Sequence, residues 1–227
     1  GNVDPIEFEI GSGSEKRKWG VLTKIGTQSD MYQSIQVAMQ PTDDQMMIYL
    51  YPGASVTGEL EGVPIQIIDE NMDGLYGSNP LSWAHEGLTK GQLHPECDSI
   101  LIDGAKRAQP FSEYQKIGGK WFRLEMLNGG TSLKAYPTEI KTGKVKVSFK
   151  GTKPTWLIVQ GAGKYENSYF DLMQKGVELP VGKYKLFCGE VRKGKKQQTM
   201  KALMLPGKSM ESWSITEGET TDVKLGG

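Results

Sequence analysis

The sequence predicts a mainly β protein: an N-terminal antiparallel β domain with long loops, then a C-terminal immunoglobulin-like β-sandwich. Three observations predict it. Apolar residues recur in short runs, many at alternate positions, which is the period of a half-buried strand. The runs are separated by turn residues, and the 227-residue chain carries 29 glycines and 11 prolines to supply them. No apolar run approaches the ~20 residues needed to cross a bilayer as a helix.

The elements follow in order. Residues 6–10 read as a strand and 11–14 as a turn. Runs at 19–25, 32–39 and 46–51 read as further strands, stopped by Pro41 and by Pro52-Gly53. Residues 29–39 have a mixed period, so a short helix is the other reading there. Val63-Pro-Ile-Gln-Ile-Ile68 is apolar and β-branched, hence a strand. Residues 77–96 are polar, broken by Pro80 and Pro95, and long for a structureless loop. They are expected to fold over the preceding loop as a lid or a binding surface. Strands are expected at 99–102, 120–126 and 133–136, with a turn at Asp103-Gly104 and a plain connection over 110–117.

The pattern changes around 137–143, and the domain boundary is set there, giving 1–140 and 141–227. Val145, Val147 and Phe149 point one way while Lys144, Lys146 and Lys150 point the other. That alternation marks a strand with one wet face. Runs at 156–159, 177–179, 183–188, 201–205 and 220–225 complete six or seven strands in about 85 residues, which suits a sandwich. Leu179-Pro-Val-Gly-Lys-Tyr-Lys-Leu186 and Glu217-Gly-Glu-Thr-Thr-Asp-Val-Lys-Leu225 resemble stretches of small immunoglobulin-like or transthyretin-like sandwiches. Such a resemblance implies a fold and no activity.

The most specific chemistry lies at Asp69-Glu-Asn71-Met-Asp73-Gly74. Calcium is a hard cation that takes six to eight oxygens, and side-chain oxygens at alternate positions closed by a glycine wrap it in a short loop. Asp69, Asn71 and Asp73 take the first, third and fifth ligand positions, and Gly74 supplies the sharp turn at the sixth. Leu75 then offers its backbone carbonyl. The twelfth position, where an EF-hand has a bidentate Glu, is Pro80, and a strand rather than a helix enters the loop. The closing carboxylate is therefore expected from further along: Asp98 first, opening the run at 99–102, and Glu86 second. The other reading is a plain polar turn, in which Asp and Asn bond the backbone and Gly takes positive φ.

The loop resembles those of dockerins, thrombospondin-type calcium repeats and many bacterial envelope proteins. The wider pattern is D-x-N-x-D-G-x-Y-G, then Asp98 before I-L-I-D-G, then I-G-G-K-W-F. It resembles a group of uncharacterised secreted or periplasmic bacterial envelope proteins over roughly residues 63–125. That resemblance implies calcium and no activity. An affinity of roughly 10⁻⁴–10⁻³ M, as in extracellular modules, suits a calcium-rich exterior. The expected localisation is secreted or periplasmic on that ground; Gly1-Asn-Val-Asp does not read as a signal peptide, which points weakly to the cytosol, since a signal is removed from a mature secreted chain.

Other motifs carry less. Lys plus Arg equal Asp plus Glu at 27 each, so no overall field draws nucleic acid or an anionic membrane. Arg192, Lys193, Lys195, Lys196 and Lys201 around Gly194 read as a solvated hairpin tip. His85 and His94-Pro-Glu-Cys97 lack the paired spacing of a zinc site. Gly207-Lys208-Ser209 lacks the first glycine of a phosphate loop, and Ser55 lacks a nucleophile elbow. Cys97 and Cys188 either form a disulfide or stay apart, Cys188 being a small buried residue alternating with Tyr184 and Leu186. Trp121 and Trp156 read as core, and Trp83 as the tryptophan for a ligand contact.

These readings give one expected function and one alternative. The expected one is a non-catalytic, calcium-stabilised envelope or secreted protein that binds an unknown protein or glycan, or serves structurally. The alternative is a hydrolase or carbohydrate-binding module acting on envelope polysaccharide.

Overall fold

A computed structural model of the chain describes residues 6–13, 16–27, 46–70, 72–77, 97–105, 107–130, 132–194, 200–207, 210 and 212–225. It is mainly β, with 61% of the described residues in strands and 4% helical. The expected elements over 29–39 and 77–96 (Gly77 apart), together with Asn71, Trp83, Glu86 and both histidines, lie outside the described residues.

Three sheets make up the N-terminal part. Strands β1 (Ile6–Ile10), β2 (Arg17–Thr27) and β3 (Met46–Pro52) form an antiparallel sheet in chain order. A second meander runs β4 (Ser55–Leu60), β5 (Val63–Ile68), β6 (Ser99–Ile102) and β7 (Gln109–Pro110). The third is β8 (Tyr114–Ile117), β9 (Lys120–Leu127) and β10 (Ser132–Pro137). Alternation along β5 sends Ile65 and Ile67 inward, where they meet Ile100, Phe111, Ile117, Phe122 and Leu124 in one core. Burying each such side chain contributes roughly 1.5–3 kcal/mol relative to exposure.

The C-terminal part packs two sheets across a second core. One has the order β14 (Glu178–Pro180), β11 (Thr142–Phe149), β18 (Thr220–Leu225). The other has β13 (Tyr169–Asp171), β12 (Pro154–Gly161), β15 (Gly182–Lys193) and β16 (Met200–Met204), with β17 (Trp213–Ile215) also pairing β15. Between them lie Leu157, Val159, Leu179, Tyr184, Leu186 and Val223, with Val145, Val147 and Phe149 packed against them as their alternation requires. β11 and β18 pair in parallel; the other strand pairs here are antiparallel. The boundary expected near residue 140 falls in the coil between β10 and β11.

Two expectations need correction. The stretch 110–117 is not a plain connection, because β7 ends in it and β8 occupies its second half. Cys188 does not share a face with Tyr184 and Leu186. A register shift in the β12–β15 ladder, between Ile158↔Cys188 and Val159↔Leu186, leaves Phe187 as an extra residue. Such a bulge reverses the alternation beyond it. Tyr184 and Leu186 therefore enter the inter-sheet core, whereas Cys188 joins Tyr169, Phe187 and Ile158 in a separate cluster.

The two cores are joined by specific contacts rather than by chain connectivity alone. Ser112 Oγ accepts from the Tyr169 N–H at 2.8 Å and donates to its carbonyl at 3.0 Å. Tyr114 N–H donates to Ser168 Oγ, and Glu113 N–H to the Asn167 carbonyl. Trp121 meets Phe170 edge-on with ring centroids 6.0 Å apart. Arg107 pairs with the buried Asp171 at 2.5 Å.

Candidate functional site

The β5–β6 ladder ends at Ile68↔Ser99, and continuing its register by one step sets Asp69 opposite Asp98. Both side chains are 0% exposed. The expectation that Asp98 lies beside the loop in a sheet is met in position: the Glu70 N–H donates to Asp98 Oδ1 at 3.2 Å. The Glu70 carboxylate is held in turn by the Ser99 hydroxyl at 2.8 Å.

Asp69 is the hub of the loop. Its Oδ1 accepts from the Asp73 N–H at 3.2 Å, and its Oδ2 from the Gly74 N–H at 2.9 Å and the Trp19 indole at 2.5 Å. The chain closes around it because Met72 and Gly74 both take positive φ, 58° and 80°. Gly74 meets the conformation that sequence reasoning assigned to it. Asp73 is exposed, and its Oδ1 accepts from the Leu75 N–H at 2.7 Å, an Asx turn. Leu75 is exposed, and Tyr76 returns the chain to the core. Gly130 permits that return, since a Cβ there would meet the Tyr76 backbone at 2.5 Å.

Trp19 was read only as the start of a strand. Its part in holding Asp69 is invisible locally, because the two residues are fifty apart in the chain. The available signal is physical: an indole N–H leaving water requires an acceptor.

The donors suit a hard cation, being carboxylates and backbone oxygens rather than sulfur or imidazole. Asp69 is a buried carboxyl group whose partners are all N–H groups, and among the described residues no Lys, Arg or His is paired to it. Burying an ionised carboxylate is costly even when hydrogen-bonded, and a cation offsets that cost. Three donors occupy three of about four acceptor sites on the carboxylate, leaving one on Oδ1. Among the described residues, no group of three or more His, Cys, Asp or Glu side chains is placed to hold a metal ion. The expected calcium set has two such carboxylates at its base, Asp69 and Asp98, with Asp73 on the rim; Asn71 lies outside the described residues.

The thiols are not nucleophiles. Both cysteines are buried and free. Burial, with smaller contributions from Cys188, Asp98 and Glu70, pushes the Cys97 thiol far up. Burial and then Asp171 push Cys188 up to about 12. A protonated, shielded thiol is inert.

No protein-family profile, curated protein or solved structure matches the chain. Among the described residues, no helix is long and apolar enough to cross a membrane.

Proposed function

We propose that this chain is a non-catalytic, calcium-stabilised binding or structural protein of the cell envelope or the secreted space. Its calcium ligands are Asp69, Asn71, Asp73, the Leu75 carbonyl and Asp98. One observation carries the reading: Asp69 is wholly buried at the base of a D-x-N-x-D-G loop, beside a second buried carboxylate, with only N–H partners. When bound, calcium supplies the positive charge that relieves repulsion between Asp69 and Asp98. The protein's own part is to preform the turn through Gly74, and to hold Asp69 by the Trp19 indole and two backbone N–H groups. Modest affinity, of the order found in extracellular modules, fits a static staple outside the cytosol. The immunoglobulin-like character of the C-terminal sheets belongs to the same proposal, as a fold suited to presenting loops at its ends.

The test is thermal unfolding in calcium and in chelator. At about ten times Kd, calcium adds about 1.4 kcal/mol, or roughly 3–6 °C for a chain of this size. An unchanged midpoint, with no bound metal by elemental analysis, removes the reading. Unaltered affinity in Asp98→Ala removes Asp98 from the ligand set while leaving the ion.

A further inference from the structure

Where the N-terminal sheets meet β13 and β14, the chain encloses an open cavity of about 680 Å³. That lies within the range of small-molecule sites, about 300–1,000 Å³. Its walls come from four separated stretches: β6, Ala105 with Arg107 to Gln109, the β8–β9 hairpin, and residues 170–179. In the β8–β9 register Gln115 lies opposite Phe122 and Lys116 opposite Trp121, so the two pairs face opposite sides of that sheet. Both Gln115 and Lys116 line the cavity, so the free edge of β8 forms its lip.

Four of the five charged wall residues are matched in pairs, and the fifth, Lys175, is exposed at the rim and in no ion pair among the described residues. Arg107 is bonded to Asp171 at 2.5 Å, and Lys116 to Glu178 at 3.2 Å. A ligand of high charge would have to compete with these partners. Apart from Lys175, the remaining polar side chains are amides. Gln174 donates to Gln109 at 3.3 Å on the rim, whereas Gln115 is 5% exposed and its Oε1 has no hydrogen-bond partner. A buried acceptor without a donor costs about 1–3 kcal/mol. The terminal amide torsion of glutamine is soft, so a donor arriving in the cavity can draw that oxygen to itself. Half-buried Trp121, braced by Phe170, adds a flat apolar wall.

From this combination we infer that the cavity is a binding site for a short, neutral saccharide. A pyranose ring has one apolar C–H face to lie on the tryptophan. Its hydroxyls both donate and accept, so they serve planar amides and the outer edges of ion pairs equally well. An anion, acceptor-only, leaves Gln115 Oε1 unserved. A purely apolar ligand leaves it unserved too. The site is separate from the Asp69 loop, and the inference does not rest on the calcium reading.

The experiment uses the whole chain with cellotriose, chitotriose and a β-1,3-linked glucan trisaccharide as neutral probes. Sialyllactose and a neutral tripeptide serve as controls. Tryptophan fluorescence and saturation-transfer NMR read binding, in calcium and again in chelator. The expected result is saturable binding of at least one neutral saccharide in both conditions, with little or none for the controls. Gln115→Met keeps the side-chain length and removes the orphan oxygen. It is expected to weaken that binding about five- to tenfold, the loss of one or two hydrogen bonds, while leaving the melting temperature unchanged or higher. Gln174→Ala, on the exposed rim, is expected to weaken binding about threefold with no change in folding. Three results overturn the proposal: no neutral saccharide binds, a control binds better, or binding survives both variants unchanged.

Discussion

Two buried aspartates in this molecule solve the same electrostatic problem in different ways. Asp171, at the junction of the two cores, accepts from the Leu157 and Met173 N–H groups and receives a guanidinium from Arg107. Asp69, at the end of β5, also accepts two backbone N–H groups, but its third partner is a neutral indole. One carboxylate is given its counter-charge by the chain. The other is given only dipoles. Backbone N–H donors can hold a carboxylate ionised, but they leave a net charge where Arg107 does not. That difference is what the proposal of a calcium ion at Asp69 rests on, whereas Asp171 has its counter-charge within the chain.

The largest expected effect tests the self-sufficient side. Asp171→Ala strands the buried Leu157 N–H and the partly buried Met173 N–H and removes the partner of the half-exposed Arg107, and should cost about 3 kcal/mol in urea unfolding, equally in calcium and in chelator. A calcium-dependent cost at this position would break the contrast. Next comes Trp19→Phe, which removes one charge-assisted donor and should cost about 1–2 kcal/mol in chelator. In saturating calcium the cost should shrink, because the cation then offsets part of the Asp69 charge. An equal cost in both conditions would mean that the indole and the ion do not share a role.

The smallest effect near neutrality comes from the two buried thiols, Cys188 near Asp171 and Cys97 near Asp98. Cys188 is raised from 9.0 to about 12, and Cys97 is raised as well. A group whose folded pKa is raised gives stability that is whole below its unfolded pKa and lost as pH climbs through the folded one. The unfolding free energy should therefore be indifferent to these thiols at pH 7 and fall between pH 9 and about 12. In the folded protein a thiol reagent at pH 8 should label neither cysteine; rapid labelling of either would refute the buried, protonated assignment.

What was legible in the sequence depended on who supplies the pattern. β5 and β9 bury alternate residues of their own, and their bounds differ from expectation by a residue at most. β4 was missed because Ser55–Leu60 is exposed at four of six positions and is held by pairing with β5. β13 and β17, three residues each, exist only as partners of β12 and β15. The Asp69–Asp98 juxtaposition was readable, since each residue flanks an apolar run and the runs pair. The Trp19 contact and the cavity were not, because both join segments tens of residues apart. The bulge at Phe187 shows the same limit: one inserted residue turned Cys188 to another face, and nothing in its alternation with Leu186 announced it.

The parallel pairing of β11 with β18 has a mechanical consequence. Lys144 to Phe149 run beside Thr220 to Leu225 in the same direction over six matched positions. Tension entering at the start of β11 and leaving at the end of β18 pulls the strands lengthwise past each other. The rungs are then loaded together in shear, whereas a hairpin pulled at its open end peels one rung at a time. Pulled in that direction, the C-terminal half would resist at a rate set by the slipping of a whole ladder rather than of single rungs.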